Sequence, residues 1–81
     1  MKHAGPAALD ALEALLARVR ALPGLKEKSR GTFYLKSRAF LHFHEDPGGL
    51  FADVRLAGDD FTRMRVSTPE EQEALLRLLA P

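Results

Sequence analysis

Two histidines and an aspartate form the pattern in this sequence that is best suited to chemistry. His42 and His44 are separated by one residue, and Asp53 follows a short turn sequence. Residues two apart on a β-strand point to the same face, so the two imidazoles would lie side by side. If a hairpin places Asp53 opposite His42, two imidazoles and a carboxylate share one face, which is a donor set for a divalent metal.

Other interpretations of the same residues stay open. An aspartate can orient a histidine as a general base, but Ser37, Thr62 and Ser67 stand in no recognisable nucleophile motif, which argues against acyl transfer. With positive charge from Arg38 or Arg55, the cluster could bind an anion. His3 lies in a segment predicted to be a loose N-terminus, residues 1–5, so no third histidine is positioned. A structural His–Asp pair at an interface is therefore favoured over a bound metal.

The elements that position these side chains are predicted strands between Phe33 and Leu56. Lys36-Ser37 suits the centre of a two-residue hairpin, which would pair Phe33 with Phe40. The sequence Asp46-Pro47-Gly48-Gly49 predicts a second tight turn. This turn would place His42 opposite Asp53 and His44 opposite Phe51.

Period-two alternation separates the side chains of these strands into two faces. One face is almost wholly apolar and should lie under the helices: Tyr34, Ala39, Leu41, Phe43, Leu50, Ala52, Val54 and Leu56. The other mixes aromatic and charged residues: Phe33, Leu35, Arg38, Phe40, His42, His44, Phe51, Asp53 and Arg55. Such a mixture is typical of an interface or a binding site, so Phe33, Phe40 and Phe51 are predicted at a homodimer interface.

The remaining elements predict an α+β fold. Leucines at helical spacing indicate a helix from Ala7 to Leu22, and residues 25–31 are interpreted as a solvated connection. A fourth strand is predicted from Phe61 to Val66. A capping box and a proline indicate a last helix from Pro69 to about Leu79. The predicted order is α-β-β-β-β-α, a four-stranded antiparallel sheet with both helices on one face, in a single domain of residues 1–81.

Composition narrows the partners. The chain has 81 residues, no cysteine and a net charge of +1, which favours neither a nucleic-acid nor a membrane specialist. A chain this short buries a small core, and dimerisation is one common remedy. The absence of cysteine, together with no apolar leader, predicts a cytoplasmic protein. The absence of asparagine is consistent with a thermophilic source. No cofactor is indicated beyond the divalent metal considered above.

Part of the chain, about residues 31–79, resembles a known family. These residues are similar to the core of small bacterial proteins named luciferase-like domains. The family name does not imply light emission, and this chain has only residues 57–60 where those proteins have a longer segment with a basic helix. A second resemblance, to MmcQ/YjbR-like domains, would imply DNA binding. The first resemblance rests on Phe33-x-Leu35-x-x-Arg38-x-x-x-His42-x-His44-x-Asp46, on Leu50-x-x-Asp53 and on Phe61-x-x-Met64-Arg65-Val66.

These observations together predict a small binding or interaction domain that uses the aromatic, histidine and arginine face of its sheet as a homodimer. The first alternative is a small metal- or histidine-dependent enzyme centred on His42, His44 and Asp53. The second is a nucleic-acid-binding module in which arginines and phenylalanines of this face contact a single strand, although the near-neutral charge argues against it.

Overall fold

The sheet is antiparallel throughout and combines with three helices. The computed structural model describes residues 1–80, so residue 81 of the predicted domain lies outside it. Across the sheet the order is β2-β3-β4-β5-β6, and β1 pairs separately with β4. The α+β antiparallel fold is therefore confirmed, whereas the predicted count of four strands is wrong. The elements are β1 (Lys2–His3), α1 (Pro6–Ala11), α2 (Glu13–Arg20), β2 (Leu25–Ser29), β3 (Thr32–Leu35), β4 (Arg38–Asp46), β5 (Gly49–Ala57), β6 (Asp60–Arg65) and α3 (Pro69–Leu79).

Both additional strands lie in segments that were predicted to be irregular. Strand β1 pairs Lys2 with Glu45 and His3 with His44, and the Gly5 amide donates to Glu45 Oε2 at 2.6 Å. Strand β2 pairs with β3 at the edge of the sheet. Its sequence, LKEKS, carries charges where a core strand has apolar residues, which is typical of a protected edge strand. Because of these charges, the alternation of apolar residues that predicts a strand is missing here.

Helix residues and one face of the sheet share a single core. Leu41, Phe43 and Val54, which were predicted for the face under the helices, are all in it, together with Leu75 and Leu76 of α3. The predicted helix from Ala7 to Leu22 is divided into α1 and α2 at Leu12. The complete buried cluster is Leu12, Leu15, Leu16, Val19, Phe33, Leu41, Phe43, Ala52, Val54, Val66, Leu75 and Leu76.

The turn between β3 and β4 is confirmed, but the pairing beyond it was wrongly predicted. Lys36 and Ser37 both adopt positive φ, 52° and 68°, as the two-residue turn requires. Phe33 pairs with Leu41 rather than with Phe40, because the register shifts by one residue on β4. Phe33 is therefore 1% exposed within the core, and Phe40 is half-buried against it. Tyr34, predicted for the core face, is outside the buried cluster.

Helix α3 begins as predicted, at a capping box. The Thr68 side chain accepts a hydrogen bond from the Glu71 amide at 3.1 Å, and Glu71 Oε1 accepts one from the Thr68 amide at 3.0 Å. No helix within residues 1–80 has the length and apolar character needed to cross a membrane.

Replacing Val54 by alanine tests the register of the central strands. Val54 is fully buried, so Val54→Ala should lower the free energy of unfolding by about 1–3 kcal/mol through the cavity it leaves. Leu56→Ala is a matched control, because this residue of the same strand is 44% exposed. Equal urea denaturation midpoints for the two variants would contradict the register.

Candidate functional site

Three cross-strand residue pairs form the centre of the sheet face opposite the helices. His42 pairs with Asp53 and His44 with Phe51, as predicted, and Asp53 pairs in turn with Arg63 of β6. Residues directly opposite each other share a face. Their sequence neighbours Leu41, Phe43, Ala52 and Val54 point into the core. We call this surface the polar face and define it by His3, His42, His44, Phe51, Asp53, Phe61 and Arg63.

Three histidines meet on the polar face. Strand β1 places His3 directly opposite His44, with ring centroids 4.5 Å apart. His42 lies 4.8 Å from His44 and 5.6 Å from His3 by the same measure. One potential ligand atom from each ring can be chosen so that all three lie within 4.8 Å of one another. The prediction that no third histidine is positioned is therefore wrong, because the N-terminal segment is a strand.

Asp53 lies against this cluster and is held by Arg63. Asp53 Oδ2 is 3.2 Å from His44 Nε2. The Arg63 guanidinium donates from Nε to Asp53 Oδ1 at 2.7 Å and from Nη2 to Oδ2 at 2.8 Å. This bidentate pair is the main reason that the pKa of Asp53 lies below its ordinary value. The carboxylate is therefore ionised, and its charge is balanced by the guanidinium.

His42 and His44 are held in their neutral form. Burial is the largest cause that lowers the pKa of both His42 and His44, because desolvation disfavours the imidazolium. A proton on His44 would lower the pKa of His42 further, whereas the Asp53 carboxylate opposes the shift in both rings. A neutral imidazole is the form that ligates a metal.

Neither neutral tautomer of His44 gives both of its ring nitrogens a favourable polar partner. Its Nδ1 is buried and no group within residues 1–80 lies in good hydrogen-bond geometry with it, although hydrogen bonding to the Lys2 backbone raises the pKa of the ring. Its Nε2 lies 2.9 Å from His42 Nδ1 as well as 3.2 Å from Asp53 Oδ2. A proton on Nε2 leaves Nδ1 an orphaned acceptor. A proton on Nδ1 leaves a lone pair at Nε2 that can accept a hydrogen bond from His42 Nδ1 but also faces the Asp53 carboxylate, and a bound cation would remove that repulsion.

The predicted anion-binding arginines lie elsewhere. Arg38 pairs with Asp59, and Arg55 donates to the carbonyl oxygens of Ala39 and Asp59. Of the two, only Arg55 is connected to the histidine cluster, and the connection runs through Phe61. The Arg55 guanidinium carbon lies 4.4 Å from the centre of the Phe61 ring, and the Phe61 and His42 ring centres are 4.8 Å apart. Both arginines line a separate shallow cavity of about 260 Å³, together with Leu35, Lys36, Ala39, Phe40 and Leu56.

Three of the clustered residues were therefore predicted from the sequence, and two were not. His42, His44 and Asp53 were predicted, whereas His3 and Arg63 were not assigned to the site. The one signal for His3 was the opposite charge of Lys2 and Glu45, which pair across the strands. Of the three predicted interface phenylalanines, only Phe51 lies on the polar face as defined here.

Comparisons of this chain with models of known protein families, with curated proteins and with solved structures found no match. The resemblances to luciferase-like and to MmcQ/YjbR-like domains therefore stay predictions.

Replacing Asp53 by asparagine should lower the pKa values of His42 and His44 further. The Asp53 carboxylate stabilises both imidazolium ions, and its loss leaves the Arg63 charge unbalanced beside them. Histidine titrations by NMR on chelator-treated protein would measure this shift. Asp59→Asn is the control, because Asp59 is an exposed partner of Arg38. Identical titration curves for both variants would show that Asp53 does not act on the histidines.

Proposed function

We propose that this chain is a metal-binding domain in which His3, His42 and His44 ligate one divalent transition metal on the polar face. The observation that carries the proposal is the convergence of three imidazoles whose ligand atoms lie within 4.8 Å of one another. The rings come from two neighbouring strands, and His44 anchors the set because it is only 8% exposed.

The spacing is close to that of a loaded site. With metal–nitrogen bonds of about 2.1 Å, neighbouring ligands of a tetrahedral metal lie roughly 3.4 Å apart. His44 Nε2 and His42 Nδ1 are already 2.9 Å apart. The widest spacing, up to 4.8 Å, must contract, and the exposed His3 ring is the one least restrained by packing.

The donor set determines the class of metal. Three imidazoles suit Zn²⁺, Cu²⁺ or Ni²⁺, whereas Mg²⁺ and Ca²⁺ prefer oxygen ligands. Asp53 adds a negative charge 3.2 Å from His44 Nε2, which stabilises a cation held there. Metal binding is one specific form of the binding function that was predicted for this face. The alternative prediction, a metal- or histidine-dependent enzyme centred on His42, His44 and Asp53, shares two of these three ligands.

Replacing His3 tests the three-histidine site most cleanly. His3 is exposed on a two-residue strand, so His3→Ala should leave the core intact. Zn²⁺ affinity, measured by competition with a chromophoric chelator, should fall by more than roughly 10- to 100-fold. Losing a residue that only contacts a metal ligand already costs that much, and His3 would be a ligand itself. Lys2→Ala is the matched control from the same strand. Binding to wild type should also weaken as the pH falls through the pKa values of His42 and His44, which lie below the ordinary histidine value, because protons then compete for the imidazole nitrogens.

Two outcomes would sink the proposal. Wild-type protein that binds no Zn²⁺ at micromolar concentration would remove the site altogether. Equal affinities for His3→Ala and Lys2→Ala would remove His3 from it and return the site to His42, His44 and Asp53.

Self-association through the polar face, as the predicted homodimer, is a second proposal and an alternative to an open metal site, because a partner would cover the same residues. It is supported by the absence of any helix on this face within residues 1–80 and by the position of β6 at the edge of the sheet. Half-buried Phe51 and partly exposed Phe61 supply apolar contact area.

Sedimentation equilibrium at micromolar concentration should then give the mass of a dimer. Phe51→Ser should shift the protein toward the monomer, because the side chain would lie in the interface. Leu78→Ser, which alters an apolar side chain that is 50% exposed on α3, should not. A monomeric wild type would end this proposal and leave the polar face free for a ligand.

A further inference from the structure

We propose that the metal on the polar face keeps one exchangeable coordination position, and that a small carboxylate with an apolar body binds there against Arg63. This inference rests on the proposed metal function. It adds the chemical class of the ligand and a residue, Arg63, that recognises it.

The open position follows from where the three donors lie. His3, His42 and His44 rise from one face of the sheet, so their nitrogens would reach a metal from the sheet side. The helices pack on the opposite face, and no helix within residues 1–80 covers the metal from the solvent side. Zinc sites with three protein ligands characteristically leave the fourth position to water or substrate.

Asp53 is poorly placed to close the site. It is not part of the group of side chains whose ligand atoms lie within 4.8 Å of one another. Each of its oxygens accepts a short hydrogen bond from Arg63, at 2.7 and 2.8 Å. Moving the carboxylate onto the metal would break this bidentate pair, so Asp53 acts through its charge and the coordination position stays open.

Arg63 has donors left for a ligand. A guanidinium has five N–H donors, and Asp53 engages only the edge formed by Nε and Nη2. Within residues 1–80 no other group accepts a hydrogen bond from Arg63, and its side chain is 49% exposed. The charges of Asp53 and Arg63 cancel, so a divalent metal bound by neutral imidazoles would leave the site net positive. Such a site attracts an anion.

The flanking side chains favour a carboxylate over inorganic anions. Phe61, which is 36% exposed, lies edge-on to His42, and Phe51 is directly opposite His44. A planar carboxylate can place one oxygen on the metal and the other on the guanidinium, while an apolar body contacts the phenylalanines. Phosphate and chloride match the charge of the site but have no apolar body that could contact the phenylalanines.

Benzoate titrations into the Zn²⁺-loaded protein test this inference. Metal content is measured first. Calorimetry should then show saturable 1:1 benzoate binding that is at least about tenfold tighter than in chelator-treated protein, and tighter than phosphate or chloride binding. In the Co²⁺-loaded protein, benzoate should change the visible absorption spectrum, because it enters the coordination sphere. Arg63→Gln should retain metal but weaken benzoate binding by about tenfold or more, as expected when a charge-assisted hydrogen bond is lost.

Arg65→Gln is the matched control, since Arg65 lies on the same strand but pairs with Glu71. It should change benzoate affinity by less than about twofold. Protein that loads Zn²⁺ but binds no benzoate would overturn this inference and leave the metal function standing, whereas protein that loads no Zn²⁺ would overturn both. Tighter binding of phosphate, an unchanged Co²⁺ spectrum, or equal losses in Arg63→Gln and Arg65→Gln would each contradict the ligand position assigned here.

Discussion

The register between β4 and β5 is the constraint on which the polar face depends. Leu41 pairs with Val54 and Phe43 with Ala52, and these four residues are buried in the core. Because side chains alternate, the same register brings His42 opposite Asp53 and His44 opposite Phe51. A slip by one residue would place the histidines under the helices and the core residues in solvent. The hydrophobic effect on one face therefore holds the chemistry on the other in place.

The polar face is costly to form without a further partner. Asp53 and His44 are 7% and 8% exposed, and each must be compensated for lost hydration. Asp53 is compensated by the two hydrogen bonds from Arg63, whereas His44 Nδ1 has no hydrogen-bond partner within residues 1–80. Neutral imidazoles limit the penalty, since an imidazolium in the same place would cost more. A buried polar group that packing alone does not explain is a reason to expect a functional role.

Sequence patterns correctly predicted the elements that are determined by the preferences of a few neighbouring residues. The turn at Lys36-Ser37, the capping box at Thr68 and the pairing of His42 with Asp53 all follow from short-range rules. Two features did not follow, because tertiary packing decides them. The register shift on β4 moves Phe33 into the core, and no turn signal marks it. Strand β1 has two exposed residues, so nothing apolar reveals that His3 docks beside His44.

In the proposed site, strand β1 would link metal binding to local stability. Its two register pairs, and the hydrogen bond from the Ala4 amide to the Phe43 carbonyl at 3.0 Å, hold the N-terminal segment against β4. Short terminal strands fray at little cost. A metal ligated by His3 and His44 would tie the segment to the most buried part of the polar face, so that fraying would require breaking a metal–ligand bond. The free energy of metal binding would then include the free energy of docking β1, because the third ligand is in place only when that strand is docked.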